Sequence, residues 1–139
     1  MSENSNRELA RRWFEEVWNQ GRLDAITEMY HPSGTATGFP DPDSVIRGPE
    51  EFAQLCRQFR DAFPDIRVTI DDVIAEGDRV AVLWTATMTH TGDGLGFAAS
   101  SKKVRVPGAS FITCRDGRII DGRNHMDFTK VLLQLQGKA

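Results

Sequence analysis

The apolar residues of this chain change period partway along, and that change restricts the folds open to it. Up to Phe63 they recur every three or four residues, as one face of a helix requires; from Ile66 they alternate, as one face of a strand requires. Leu9, Ala10, Trp13, Phe14, Val17 and Trp18 predict a first helix stopped at Gly21. Leu23, Ile26, Met29 and Tyr30 predict a shorter second helix, ending before His31-Pro32 because the proline ring disfavours a helical predecessor. Residues 33–47, with Gly34, Gly38, Pro40 and Pro42 and little periodicity, predict a loop with room for one short strand. Gly48-Pro49 open a third helix through Phe52, Leu55, Cys56, Phe59 and Phe63, closed by Pro64.

Beyond that helix, Ile66, Val68 and Ile70 alternate with Arg67 and Thr69, and Glu76-Gly77-Asp78 reads as a turn. Further strands are predicted over about Val80–Thr91, Lys103–Arg115 and Ile119–Met126, the last two joined at Asp116-Gly117. Phe128, Val131, Leu132 and Leu135 predict a closing helix, with Asp127 placed to cap it. Helices first and long consecutive strands afterwards imply an α+β fold, a curved, mostly antiparallel sheet wrapped around the N-terminal helices with a central pocket.

A single domain, 1–139, suits this length and a hydrophobic content of 40%. The net charge of −3 is spread without a block of like charges, so nucleic acid is not an expected partner. No apolar run approaches the roughly eighteen residues of a membrane span, and MSENSNRELARR lacks a signal-peptide core; a soluble, cytoplasmic protein without membrane contact is expected. Cys56 and Cys114 lie outside any CxxC pair and read as buried free thiols, while His31, His90 and His125 lack metal-ligand spacing, so no metal is expected. There is no GxSxG elbow or P-loop, and the glycines of THTGDGLG precede a strand where a phosphate cradle needs a helix.

Alternation sets Val82, Trp84, Ala86, Met88 and His90 on one face of their strand, and Leu83, Thr85, Thr87 and Thr89 on the other. The first face suits a flat apolar ligand. His90 at its end is a candidate for proton chemistry, since imidazole titrates near neutrality; a histidine bonded into the Thr89–Gly92 bend accounts for it equally, and core packing accounts for Trp84 and Met88. On the last strand, Ile120, Gly122, Asn124 and Met126 are expected to face the cavity, and Asp121, Arg123 and His125 to face outward. Gly108 and Ser110 share parity on the facing strand, one making room and the other offering a hydroxyl. Asp127 is either a carboxylate at the pocket rim or a helix cap. The outer threonines Thr85, Thr87 and Thr113 suit another surface, so a homodimer is expected. A cavity filled by Trp84, Met88 and Phe111 would instead mark an interaction module.

Phe14-Glu-Glu-Val-Trp-Asn-Gln-Gly21, Gly48-Pro-Glu, Ala62-Phe-Pro-Asp65, Gly77-Asp-Arg-Val80, Trp84-Thr-Ala-Thr, Thr89-His-Thr-Gly92, Val106-Pro-Gly108, Asp116-Gly-Arg-Ile119 and Asp127 together carry a resemblance over nearly the whole chain. The chain resembles the SnoaL-like polyketide (ester) cyclases of the nuclear transport factor 2-like superfamily. That resemblance implies a cone-shaped, cystatin-like α+β roll, a pocket between sheet and helices, frequent homodimers, and acid/base work without a cofactor. In the resembling cyclases a carboxylate on the last strand serves as general acid/base in an intramolecular aldol ring closure, and Asn124 stands at that position here. An amide donates and accepts hydrogen bonds but does not shuttle a proton near neutral pH. Many resembling proteins also carry tryptophan where Arg123 stands. The candidate catalytic residues are therefore His90, Asn124 and Asp127, and the candidate substrate-binding residues Trp84, Met88, Ser110 and Trp18. The expected ligand is a small, mostly apolar carbonyl-containing or polycyclic molecule, either cyclised, isomerised or hydrated, or bound without turnover.

Overall fold

Ser2 begins the first helix by accepting the Ser5 N–H on its hydroxyl at 3.0 Å. The computed structural model describes residues 2–38, 43–93 and 99–136, leaving aside the side chain of Phe128. Helix α1 spans Glu3–Arg12 and runs without a break into a π-helical segment, Trp13–Asn19, where the Gln20 N–H reaches back five residues to the Glu15 carbonyl at 2.9 Å. The expected helix is thus present but wider over its last turns. Spacings of three and four do not distinguish the two windings, because both keep Trp13, Phe14, Val17 and Trp18 on the buried side. Helix α2 follows over Asp24–Met29.

The segment 33–47, expected as a loop with one short strand, instead carries two strands, and residues 39–42 between them, with Pro40 and Pro42, lie outside the described residues. Strand β1, Tyr30–Thr37, starts directly at the end of α2 and passes through His31-Pro32. Proline is tolerated because the pairing of β1 with β6 shifts register between Tyr30 and Thr35, so residues 31–34 bulge away from the ladder. The short β2, Val45–Arg47, pairs antiparallel on the outside of β1. Helix α3, Gly48–Ala62, carries Pro49 in its first turn and buries Phe52, Leu55, Cys56, Phe59 and Ala62.

The remaining strands are β3 (Arg67–Glu76), β4 (Arg79–Thr89), β5 (Lys103–Arg115) and β6 (Arg118–Met126), and α4 spans Phe128–Leu135. They form a curved, open six-stranded sheet in the order β2-β1-β6-β5-β4-β3. It is mixed, since β1 runs parallel to β6 while every other pair is antiparallel. Val82, Trp84, Ala86, Met88 and His90 are all buried, as alternation predicts. One position departs from this alternation. The β5–β6 register skips Ile120, so Ile119 turns inward and buries while Ile120 is half-exposed. Phe111 lies on the outer face with 43% of its surface exposed, and does not fill the cavity. Both cysteines are buried and free, and burial pushes each thiol up to about 11. No helix among the described residues is long and apolar enough to cross a membrane.

Candidate functional site

The inner face of the sheet, the π-helical segment and α3 leave a cavity between them, lined by eighteen residues that include Trp13, Phe14, Trp18, Tyr30, Phe52, Phe59, Trp84 and Met88. All three tryptophans of the chain and its single tyrosine are on this wall. The aromatic rings brace one another: Trp13 stacks on Tyr30 at 5.7 Å between centroids, and Phe52 meets Trp13 edge-on at 4.9 Å. The cavity leaves about 60 Å³ for the centres of water-sized molecules. That is less than half of the roughly 150 Å³ that takes up benzene, so a ring system enters only where the lining side chains give way.

Polar atoms enter this wall mainly through one hydrogen-bond chain. The Trp84 indole N–H donates to Ser110 Oγ at 3.0 Å, Ser110 Oγ donates to Asn124 Oδ1 at 2.6 Å, and Asn124 Nδ2 donates to the Thr37 carbonyl at 3.0 Å. Its direction is fixed at both ends. An indole nitrogen can only donate and a backbone carbonyl can only accept, so Ser110 must pass its proton toward Asn124 and Asn124 must turn its NH2 toward Thr37. One amide hydrogen of Asn124 is left over for a ligand. Two glycines shape the chain. A Cβ at Gly108 would overlap Trp84 Cζ2 and Cη2, so only glycine lets the indole lie across β5 toward Ser110, and a Cβ at Gly38, whose φ is +104°, would overlap the Asn124 backbone carbonyl.

Trp18, Trp84, Met88, Ser110 and Asn124 therefore lie together on the cavity wall. His90 and Asp127 do not line it. His90 is fully buried past Met88, its ring 5.4 Å from that of Phe63, and its Nδ1 accepts the Ser100 N–H at 3.1 Å and meets Ser100 Oγ at 3.0 Å. An Nδ1 that accepts a backbone N–H carries no proton, so the neutral ring is protonated on Nε2. Histidine here ties the end of β4 to the segment Ser100–Lys102 that leads into β5. Asp127 caps α4, accepting the Lys130 N–H at 3.0 Å, and borders a shallow groove that shares Asn124 and Met126 with the cavity.

Tyr30 is the site residue that sequence reasoning passed over. Spacing marks it only as the last apolar position of the predicted second helix, yet it is 1% exposed, lines the cavity, and its hydroxyl has no hydrogen-bond partner among the described residues. Burial, with the nearby charges of Asp121 and Glu51, pushes its phenol well above the ordinary range, so it stays protonated. Among the described residues of the wall it is also the only acid or base.

With this geometry in place, comparison with known proteins places the chain. The SnoaL-like polyketide cyclase family matches residues 8–135, and the chain belongs to that family. Aklanonic acid methyl ester cyclase DnrD of Streptomyces peucetius is 26% identical over 92% of this chain and 88% of its own length. A Jannaschia sp. CCS1 protein assigned to the same family superimposes with a TM-score of 0.87 at 27% identity, covering 96% of this chain and 92% of its own. TsrD of Streptomyces laurentii shares the fold, with a TM-score of 0.84 at 24% identity over 100% of this chain and 99% of its own.

Proposed function

We propose that the chain binds a compact, mostly apolar, carbonyl-bearing molecule in the aromatic-walled cavity and polarises its carbonyl through the free Nδ2–H of Asn124. The supporting observation is the chain from Trp84 through Ser110 to Asn124 and Thr37, which holds that amide hydrogen in one orientation inside an apolar enclosure. A donor fixed in a dry site stabilises developing negative charge on an oxygen without reorganising. Any cyclisation, isomerisation or hydration here runs through this polarisation of an enolate or ketone oxygen, not through a carboxylate that moves a proton. Trp18, Trp84 and Met88 supply the apolar walls, and Ser110 acts by positioning Asn124. His90 and Asp127 support the scaffold around the site.

The test is calorimetric titration with 1-tetralone and with tetralin, which lacks the carbonyl. Wild type binds the ketone more tightly, and Asn124→Ala removes that preference by about three- to tenfold. Equal preference in both proteins refutes the reading. Binding without turnover is the second reading. Tyr30, the one titrating side chain on the described wall, stays protonated near neutral pH, which favours it; a bell-shaped pH–rate profile near neutrality would overturn it. The outer sheet face exposes Ile74, Leu83 and Phe111 beside Thr85 and Thr87, and we assign it to a homodimer contact. Light scattering that finds only monomer at micromolar concentration would refute that assignment.

A further inference from the structure

A buried hydroxyl without a partner is costly, and native proteins rarely leave one inside unless something else meets it. Tyr30 is such a group, and it lies on the cavity wall. Its position is also informative. Tyr30 pairs with Ile119 on β6, and because Ile120 bulges out of the ladder Asn124 lies four pairing steps further along the same strand, roughly 13 Å at about 3.3 Å per residue. The two polar groups thus enter the aromatic slot from opposite ends of one strand. The ring of Tyr30 is held by Trp13 at 5.7 Å and Phe52 at 5.4 Å, and Gly34 leaves it room, since a Cβ there would come within 2.8 Å of Cε1. Such packing fixes the direction of the hydroxyl before any ligand arrives.

We propose that Tyr30 is a second ligand-binding donor, and that the cavity takes a flat molecule with an oxygen acceptor at each end, one for Tyr30 Oη and one for Asn124 Nδ2. This rests on the reading of the cavity as a carbonyl site and adds the length and doubly oxygenated character of its ligand. Oxygen-free hydrocarbons satisfy neither end, and a molecule with a single acceptor leaves one donor buried and unmet.

The experiment uses 6-methoxy-1-tetralone, whose two oxygens lie at opposite ends of a two-ring frame, alongside 1-tetralone and tetralin. Each is titrated calorimetrically into wild type and into Tyr30→Phe, with urea unfolding of both proteins. Wild type is expected to bind 6-methoxy-1-tetralone about five- to tenfold more tightly than 1-tetralone. Tyr30→Phe is expected to erase that advantage, leave tetralin unchanged, and keep or raise the unfolding midpoint. Unchanged affinities in Tyr30→Phe overturn the proposal and leave the Asn124 reading standing, the hydroxyl then meeting water only. A variant that loses stability and weakens all three probes equally overturns it too, making Tyr30 a packing residue. If wild type binds none of the probes, the carbonyl-site reading falls and takes this proposal with it.

Discussion

Gly108→Ala adds one methyl group to a strand and should nonetheless be among the most damaging small changes to the site. Gly108 lacks a left-handed φ, so alanine there meets no backbone penalty, and in an ordinary strand it would be neutral or better. The cost arises at Trp84. A Cβ at 108 would overlap Cζ2 and Cη2 of the indole and sit 2.8 Å from Cε2, all atoms of one rigid ring system. The ring cannot slide away cheaply, because its other side meets Phe14 at 6.4 Å between centroids and its Nε1 is bonded to Ser110. Overpacking of this kind costs about 1–3 kcal/mol. Losing the indole–Ser110 bond adds about 1 kcal/mol and leaves a buried donor unmet. Urea unfolding should therefore show a loss of about 2–4 kcal/mol. A double-mutant cycle with Trp84→Phe isolates the cause, since in the smaller background the added methyl has space and the same substitution should cost under about 1 kcal/mol. An equal cost in both backgrounds would refute the argument that Gly108 exists to seat Trp84.

Asn124→Asp restores the residue type of the resembling cyclases, but the Thr37 carbonyl still demands a donor, so the new carboxyl must hold its proton and its pKa rises. A raised carboxyl pKa makes the variant's stability relative to wild type fullest below about pH 4 and progressively lost as pH climbs through the folded pKa; a difference in urea midpoint that stays flat from pH 4 to 8 would show that Thr37 does not orient the amide. Asp127→Ala should cost about 1 kcal/mol through the lost α4 cap while leaving the affinity for 1-tetralone unchanged; a weakened affinity would return Asp127 to the site. At Asp65, burial pushes the carboxyl up but bonds from the Thr89 hydroxyl and amide outweigh it and hold the pKa below its ordinary value, so the stability it contributes is present above about pH 4 and lost as pH falls through the folded pKa. Acid titration of Asp65→Asn should accordingly show a shallower loss below that pH than wild type, and parallel curves would refute it.

How far the fold could be read in advance depended on whether neighbouring residues or distant ones decide each element. Period two across β4 and β5 follows from burying one face of a pleated sheet, so the inward positions of Trp84, Met88 and Ser110 were legible from spacing. Strand β1 was not, because its partner is the last strand and its pairing is parallel; nothing local to His31-Pro32-Ser33-Gly34 records that β6 will lie beside it. The bulge at Ile120 was hidden for the same reason. It exists only as a mismatch between two strands, and it reverses the parity expected at the start of β6 while leaving Gly122 and Asn124 inward.

The same distinction explains the site. His90 continued the face of Trp84 and Met88 by strict alternation, and it is buried on that side, but the strand ends at Thr89 and the next residue passes beyond the cavity onto Phe63. Parity locates a face; it does not locate where along that face the empty space lies. Asn124 could be singled out as a departure from an acid/base carboxylate, yet its role depends on the Thr37 carbonyl, supplied by the strand that spacing could not reveal. Tyr30 was hidden by both difficulties at once: spacing counts it as an apolar helix residue, and it is in fact the first residue of that same strand, where its ring joins the aromatic wall and its hydroxyl enters an enclosure that offers no partner among the described residues. A carboxylate at position 124 would have to be protonated to face Thr37, so within this scaffold the amide is the uncharged group that keeps a donor available to a ligand at every pH where the protein is folded.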